Sequence, residues 1–174
     1  MATSTASLTG VERTFDPDDI IVSKTDLKGR ILYGNKVFID ISGYAEKELM
    51  GAPHSILRHP HMPRAIFKLL WETIQDGREI FAYVVNRCKN GDYYWVFAHV
   101  TPSFTDQGEV IGYHSSRRVP EPAKLEKIKP LYRSMLDEEK RHANGKDGMA
   151  ASYRLLTETL AAKGLTYDAF IFSL

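Results

Sequence analysis

The period of the apolar positions changes several times along the chain, and each change marks an element. Ile20 to Lys24 is an apolar, β-branched run. Thr25-Asp26-Leu27-Lys28-Gly29 carries turn chemistry in which Gly29 is free to take a positive φ, and Arg30 to Tyr33 resumes a short strand, so a β-hairpin is predicted. From Asn35, a natural N-cap, Val37, Phe38 and Ile41 fall at helical spacing up to Gly43, which suits a C-terminal stop. A second short helix is predicted from Ala45 to Met50. Three prolines, Pro53, Pro60 and Pro63, then forbid a long helix between 53 and 63. After Pro63, Ile66, Phe67, Leu70, Trp71 and Ile74 trace one helical face that ends at Gly77.

Beyond Gly77 the period shifts to that of strands. Glu79 to Arg87 and Tyr93 to Phe104 are rich in aromatic and β-branched residues and flank Lys89-Asn90-Gly91-Asp92, an Asn-Gly hairpin signal. A second turn, Thr105-Asp106-Gln107-Gly108, leads to a strand from Val110 to Val119. Helices gathered between two groups of antiparallel strands make an α+β class, distinct from the alternation of a parallel sheet. Pro120-Glu121-Pro122 marks a boundary. Past it, Leu125, Ile128, Leu131, Tyr132, Met135 and Leu136 form an amphipathic helix in which Pro130 is expected to make a kink or a restart. A further helix is expected from Met149 to Lys163, and the apolar tail Ala169 to Leu174 needs covering. The organisation expected is a flexible segment over 1–18, a domain over 19–119, and a helical segment over 120–174 for docking or dimerisation.

Composition narrows the function classes. The 174 residues are 43% hydrophobic and 26% charged, a globular balance. Lysine plus arginine number 23 against 22 acidic residues, a net charge of +1, which removes the basic field expected of a nucleic-acid or anionic-membrane binder. No apolar stretch approaches the about 20 residues of a membrane span. Met1 to Thr9 lacks the basic start and apolar core of a signal peptide. One cysteine, Cys88, excludes an intrachain disulfide and any multi-cysteine metal site, in keeping with a cytoplasmic protein. Ser55 has no nucleophile-elbow pattern around it and there is no Gly-Lys phosphate loop, so an enzyme is not expected.

The motifs Tyr33-Gly34-Asn35, Ile41-Ser42-Gly43-Tyr44, Glu48-Leu49-Met50-Gly51, Leu57-Arg58-His59-Pro60, Met62-Pro63, Lys89-Asn90-Gly91-Asp92-Tyr93-Tyr94-Trp95 and Gly112-Tyr113 occur in one order. They resemble those of a PAS domain, and more narrowly the FAD-binding PAS domain of bacterial aerotaxis receptors, over Asp19 to Val119. The resemblance implies a five-stranded antiparallel sheet closed on one face by short helices around one noncovalent FAD. Carried over by position, it implies cofactor contacts from Asn35, Arg58 and His59, from Asn86 to the polar edge of the flavin ring, and from His114 near its reactive nitrogen. Two positions depart from the pattern. Ile80-Phe81 stands where the family often has a tryptophan, so that Phe81 or Tyr83 would have to supply the flat ring, and His61 stands in place of an aspartate at a helix start. No cysteine lies near Ser55, so the blue-light chemistry of light-oxygen-voltage domains is not expected.

The residues themselves give these positions chemistry. A guanidinium and an imidazole in a proline-rigid loop suit a diphosphate or a flavin edge. An amide facing an apolar pocket must find a partner, and an imidazole can follow the protonation of a reduced ring. Ordinary surface or packing roles are the alternatives at each. Trp71 and Trp95 read as core. The function expected is a cytoplasmic sensory module that binds FAD and passes redox or oxygen status to a chemoreceptor-like or other signalling protein, or to a second copy of itself. Two further readings stand beside it: a haem-binding gas sensor ligated by His59 or His61, and a cofactor-free interaction or dimerisation scaffold whose cavity is filled by Phe81 and Tyr83.

Overall fold

The computed structural model describes residues 6–174. Strands β1 (Ile21–Thr25), β2 (Ile31–Gly34), β3 (Ile80–Arg87), β4 (Tyr93–Phe104) and β5 (Val110–Arg118) form one antiparallel sheet in the order β2-β1-β5-β4-β3. Helices α1 (Lys36–Ser42), α2 (Glu46–Leu49) and α3 (Arg64–Gln75) lie between β2 and β3 in the chain, with a 3₁₀ turn at His54–Leu57 inside the proline-rich run. This is the expected α+β class and its five-stranded sheet. The local signals act as read: Asn35 caps α1 by accepting from the Phe38 amide, and Gly43 closes it in a left-handed conformation.

Both faces of the sheet are covered, and side-chain alternation assigns each strand residue to one of them. On the inner face Ile80, Ala82, Val84 and Asn86 of β3 stand opposite Val100, Ala98, Val96 and Tyr94 of β4. On the outer face Phe81, Tyr83 and Val85 pair with His99, Phe97 and Trp95. Helix α4 (Pro122–Lys140) lies on that outer face, where Tyr132 stacks on Trp95 and its hydroxyl donates to the Tyr83 carbonyl at 2.7 Å. Burying side chains such as Tyr83 and Val85, each 2% exposed, stabilises by roughly 1.5–3 kcal/mol apiece. Helix α5 (Gly145–Ala162) packs against α4 and α3, and α6 (Tyr167–Ser173) against β3. The C-terminal helices therefore reach round the β3 edge of the sheet and protect it from pairing.

Two segments outside the sheet bear on the expectations: α4 does not restart at Pro130, and the chain before β1 is partly paired. Helix α4 runs unbroken through Pro130. The donor that proline lacks would have served the Glu126 carbonyl, and both residues are on the exposed side, open to solvent, while Leu125, Ile128, Tyr132 and Met135 anchor the opposite side. Part of the segment before β1 is bonded to the sheet. Met1–Thr5 lies outside the described residues, but residues 9–13 are laid along the start of β4: the Thr9 amide donates to the Gly91 carbonyl, and Val11 and Arg13 exchange backbone bonds with Tyr93. The Arg13 side chain donates to the Ile41 carbonyl.

Candidate functional site

A cavity of about 270 Å³ lies between the inner face of the sheet and α3. That is close to the low end of small-molecule pockets, about 300 Å³ and upward. Val84 and Asn86 of β3, Ala98 and Val100 of β4, Tyr113, Ser115 and Arg117 of β5, and Ser23 and Thr25 of β1 form one wall; Phe67, Leu70, Trp71 and Ile74 of α3 form the other. Pro53, His54, Ser55 and Arg58 close one side. The helical face read from the apolar period after Pro63 is thus the face that builds the cavity. Trp71 and Tyr113 meet edge to face with ring centres 5.6 Å apart. Gly29, at φ 75°, brings the β1–β2 turn so close to Trp71 that a Cβ there would sit 2.9 Å from the indole.

Arg58, Phe67 and Trp71 also line a second, open crevice, shared with Arg64, Lys68 and Glu72 of α3 and with Gly145, Lys146 and Met149 of α5. Its rim is mainly cationic. The Arg58 guanidinium sits 4.9 Å over the Phe67 ring, and burial with the nearby charge of Arg64 lowers its pKa. Pro63, which precedes the first residue of α3, supplies no side-chain cap; instead the Glu139 carboxylate of α4 accepts from the Ala65 amide at 3.2 Å. Glu139, 74 residues beyond Ala65, thus brings a carboxylate to the start of this helix.

The polar end of the cavity is built around Arg117, which is 2% exposed. One terminal nitrogen donates to the Ser23 hydroxyl, and the guanidinium carbon lies 4.9 Å over the Phe38 ring. Having accepted from Arg117, Ser23 is free to donate to Nε2 of His54, 3.2 Å away. Burial, aided by the charge of Arg117, lowers the His54 pKa to about 3, so this ring stays neutral as an acceptor. Burial likewise lowers the Arg117 pKa to about 10, which leaves it charged.

The structure sorts the six residues proposed from sequence. Asn86 and Arg58 line the cavity and are joined by an antiparallel backbone bridge. Asn35 does not line it: Oδ1 accepts from the Phe38 and Val22 amides and Nδ2 donates to the Ile20 carbonyl, so both ends of the amide tie α1 to β1. His59, one residue beyond Arg58, turns the other way. It is buried against Tyr93 and His61, accepts from the His61 amide on Nδ1, and has its pKa lowered to about 4, chiefly by burial. Phe81 is on the outer face, stacked on His99 with ring centres 4.1 Å apart and capped by Phe172 of α6. His114 borders the cavity through β5, but it pairs with Lys24 and Thr101, which places its ring on the outer face with His99. Burial and the charges of Lys24 and His99 lower its pKa.

Period-2 geometry explains the last two placements, because one step along a strand exchanges the faces. It also explains what the sequence reading missed: Tyr113, Ser115 and Arg117 share the inner face, and the alternation around His114 was the signal that would have found them. Trp71, read as core, is a cavity wall. Neither His59 nor His61 lines the cavity, so the haem reading loses its two ligands. Among the described residues no cluster of His, Cys, Asp and Glu is placed to hold a metal. Cys88 is buried, donates to the Ile41 carbonyl, and is pushed by burial to a pKa of about 11. No helix among the described residues is long and apolar enough to cross a membrane.

Comparison with known proteins agrees with this geometry. The sequence profile of the family described as "PAS fold" matches residues 31–117. The aerotaxis receptor of Escherichia coli is 39% identical over 118 residues, which are 68% of this chain and 23% of the receptor. A nitrogen fixation regulatory protein of Klebsiella pneumoniae is 27% identical over 57% of this chain and 20% of its own length. The chain thus spans about a quarter or less of these relatives. Among solved structures, a light-oxygen-voltage domain studied with a flavin analogue superposes with a TM-score of 0.56 at 19% identity, over 66% of this chain and 87% of that one. A PAS domain from Colwellia psychrerythraea does so at 0.53 and 20% identity, over 58% and 86%. At such identities the structural likeness speaks for the fold.

Proposed function

Because this chain belongs to the PAS family, we propose that it is a cytoplasmic sensory module that binds FAD between its sheet and α3 and reports redox or oxygen status to a signalling protein. One observation carries the reading: an apolar cavity with a donor-rich end shares Arg58, Phe67 and Trp71 with a cationic crevice outside it. That pair of spaces suits a flat ring joined to a diphosphate and a second base, which favours a dinucleotide over a mononucleotide. Residues 19–119 are the sensory unit of this reading and 120–174 its output segment.

The residues divide the work. Trp71, Tyr113, Val84 and Ala98 exclude water from the ring system, and Asn86 offers an amide to its polar edge. Arg58 stands at the mouth, where its charge meets a diphosphate, with Arg64, Lys68 and Lys146 beyond it. A bound flavin supplies reversible electron transfer coupled to proton uptake. Helix α3 forms one cavity wall, takes its cap from Glu139 and packs on α5, so a shift of α3 in response to charge in the cavity moves the C-terminal helices with it. Those helices are the surface a chemoreceptor-like partner or a second copy reads. In the cofactor-free alternative Phe81 and Tyr83 could fill the cavity; both take the outer face of the sheet, so that way of filling it is lost.

The test is the absorption spectrum of freshly purified protein before and after dithionite, with the released chromophore identified by mass. A two-band yellow spectrum that bleaches, with FAD released, is the expected result. A Soret band, or a colourless protein that takes up no FAD on reconstitution, overturns the reading.

A further inference from the structure

The part of the cavity that the flavin reading leaves without a role is its most highly charged one. Arg117 is buried to 2% exposure, and no described carboxylate lies within salt-bridge distance of it. Of its three nitrogens only one has a partner, Ser23; Nε and Nη1 have none. Next to it the hydroxyl of Tyr94, fully buried, is also without a partner, and burial raises its pKa so that it keeps its proton. His54 is held neutral, so the local charge is that of one cation.

An uncompensated buried charge is costly to a fold, and so is each buried donor left without an acceptor. Folds keep such a group where a ligand satisfies it, and Arg117 lies in the wall of a cavity. What it asks for is an acceptor-rich edge or a negative charge: its free atoms, Nε and Nη1, are both donors, and Asn86 across the cavity offers both a donor and an acceptor.

Resting on the FAD reading, we infer that Arg117 is the residue that sets the redox response: it binds the carbonyl-bearing edge of the flavin ring and stabilises the negative charge that reduction places there. Were FAD bound, two electrons from a reductant such as dithionite and one proton from solvent would convert the neutral oxidised ring to a reduced ring carrying one negative charge. Oxidised ring presents Arg117 with neutral acceptors; reduced ring presents an anion. Charge-assisted bonds are about twice as strong as neutral ones. The cation therefore favours the reduced state and raises the potential at which the module switches. In the absence of a ligand the same cation is a burden on the fold.

The experiment uses the full chain, unaltered and as Arg117→Met, Arg117→Gln and Arg117→Lys, each reconstituted with FAD. Midpoint potentials are read by dye-coupled spectrophotometric titration, oxidised FAD affinity by fluorescence quenching, and the thermal midpoint of the cofactor-free chains by circular dichroism. In the Met variant the preference for reduced over oxidised FAD should fall by at least about tenfold, equal to about 30 mV for a two-electron couple, with Lys staying within about threefold of the unaltered protein. Gln, which keeps donors but no charge, should follow Met, and it carries the test if Met does not fold. Cofactor-free Met or Gln chains should melt no lower than the unaltered one. Unchanged potentials in Met and Gln with FAD still bound overturn the role of Arg117 alone and leave the FAD reading standing. Cofactor-free variants that melt well below the unaltered chain overturn the claim that the charge awaits a ligand. An unaltered chain that takes up no FAD removes both.

Discussion

Replacing Asn35 by alanine separates a structural role from a cofactor role at a position where the family resemblance implies the second. The side chain makes three hydrogen bonds that alanine cannot: from the Phe38 amide at 3.1 Å, from the Val22 amide at 3.0 Å, and to the Ile20 carbonyl at 2.7 Å. Loss of the N-cap costs about 1 kcal/mol. The two bonds to β1 are part-buried, and leaving their backbone partners unpaired costs about 1 kcal/mol each. The sum is about 3 kcal/mol, which for a chain of this length lowers the thermal midpoint by about 6–12 °C. Asn35→Asp keeps the acceptor that serves both amides and loses the donor to Ile20, so it should fall by about a third as much. Thermal and urea melts of the three cofactor-free proteins measure both effects. If the alanine variant melts within about 2 °C of the unaltered protein, the ledger is wrong. If it also fails to take up FAD, Asn35 contacts the cofactor after all.

Two further outcomes are expected. His54 and His59 have folded pKa values of about 3 and about 4, below the about 6.5 of an unfolded histidine. The unfolded chain then binds more protons between those values and 6.5, so their contribution to stability is complete above about pH 6.5 and is lost as pH falls toward the folded values. Up to about 2 kcal/mol should be gone at pH 5 for His54, and less for His59, whose ring is better screened by solvent, read as a lower urea midpoint whose pH dependence His59→Asn makes less steep; an unchanged midpoint between pH 7 and pH 5 would refute this. Tyr132→Phe removes the buried bond to the Tyr83 carbonyl and should cost about 1–2 kcal/mol, with faster amide exchange in α4 and an unchanged rate in α1; equal loss of protection in both helices would count against local docking of α4 on the outer face.

All five strands and the helices up to α5 were legible in the chain itself; α6 was not, its segment being read only as an apolar tail, and α5 begins at Gly145, four residues before the expected Met149. Asn35 and Gly43 bracket α1, the apolar stripe from Ile66 to Ile74 is α3, and Lys89-Asn90-Gly91-Asp92 joins β3 to β4, because caps, turns and periods act between residues a few positions apart. The pairing of Asn86 with an inward face was legible for the same reason. Which face His114 and Phe81 take was not, since it depends on how β5 and β3 register against β4, and a single step of register exchanges the faces. Nor was the capping of α3 by Glu139, the passage of α4 through Pro130, or the lack of a described carboxylate in salt-bridge reach of Arg117. Those depend on groups brought together from distant parts of the chain. Local pattern decides what a segment can become; burial and the partners that folding brings decide what its side chains then do.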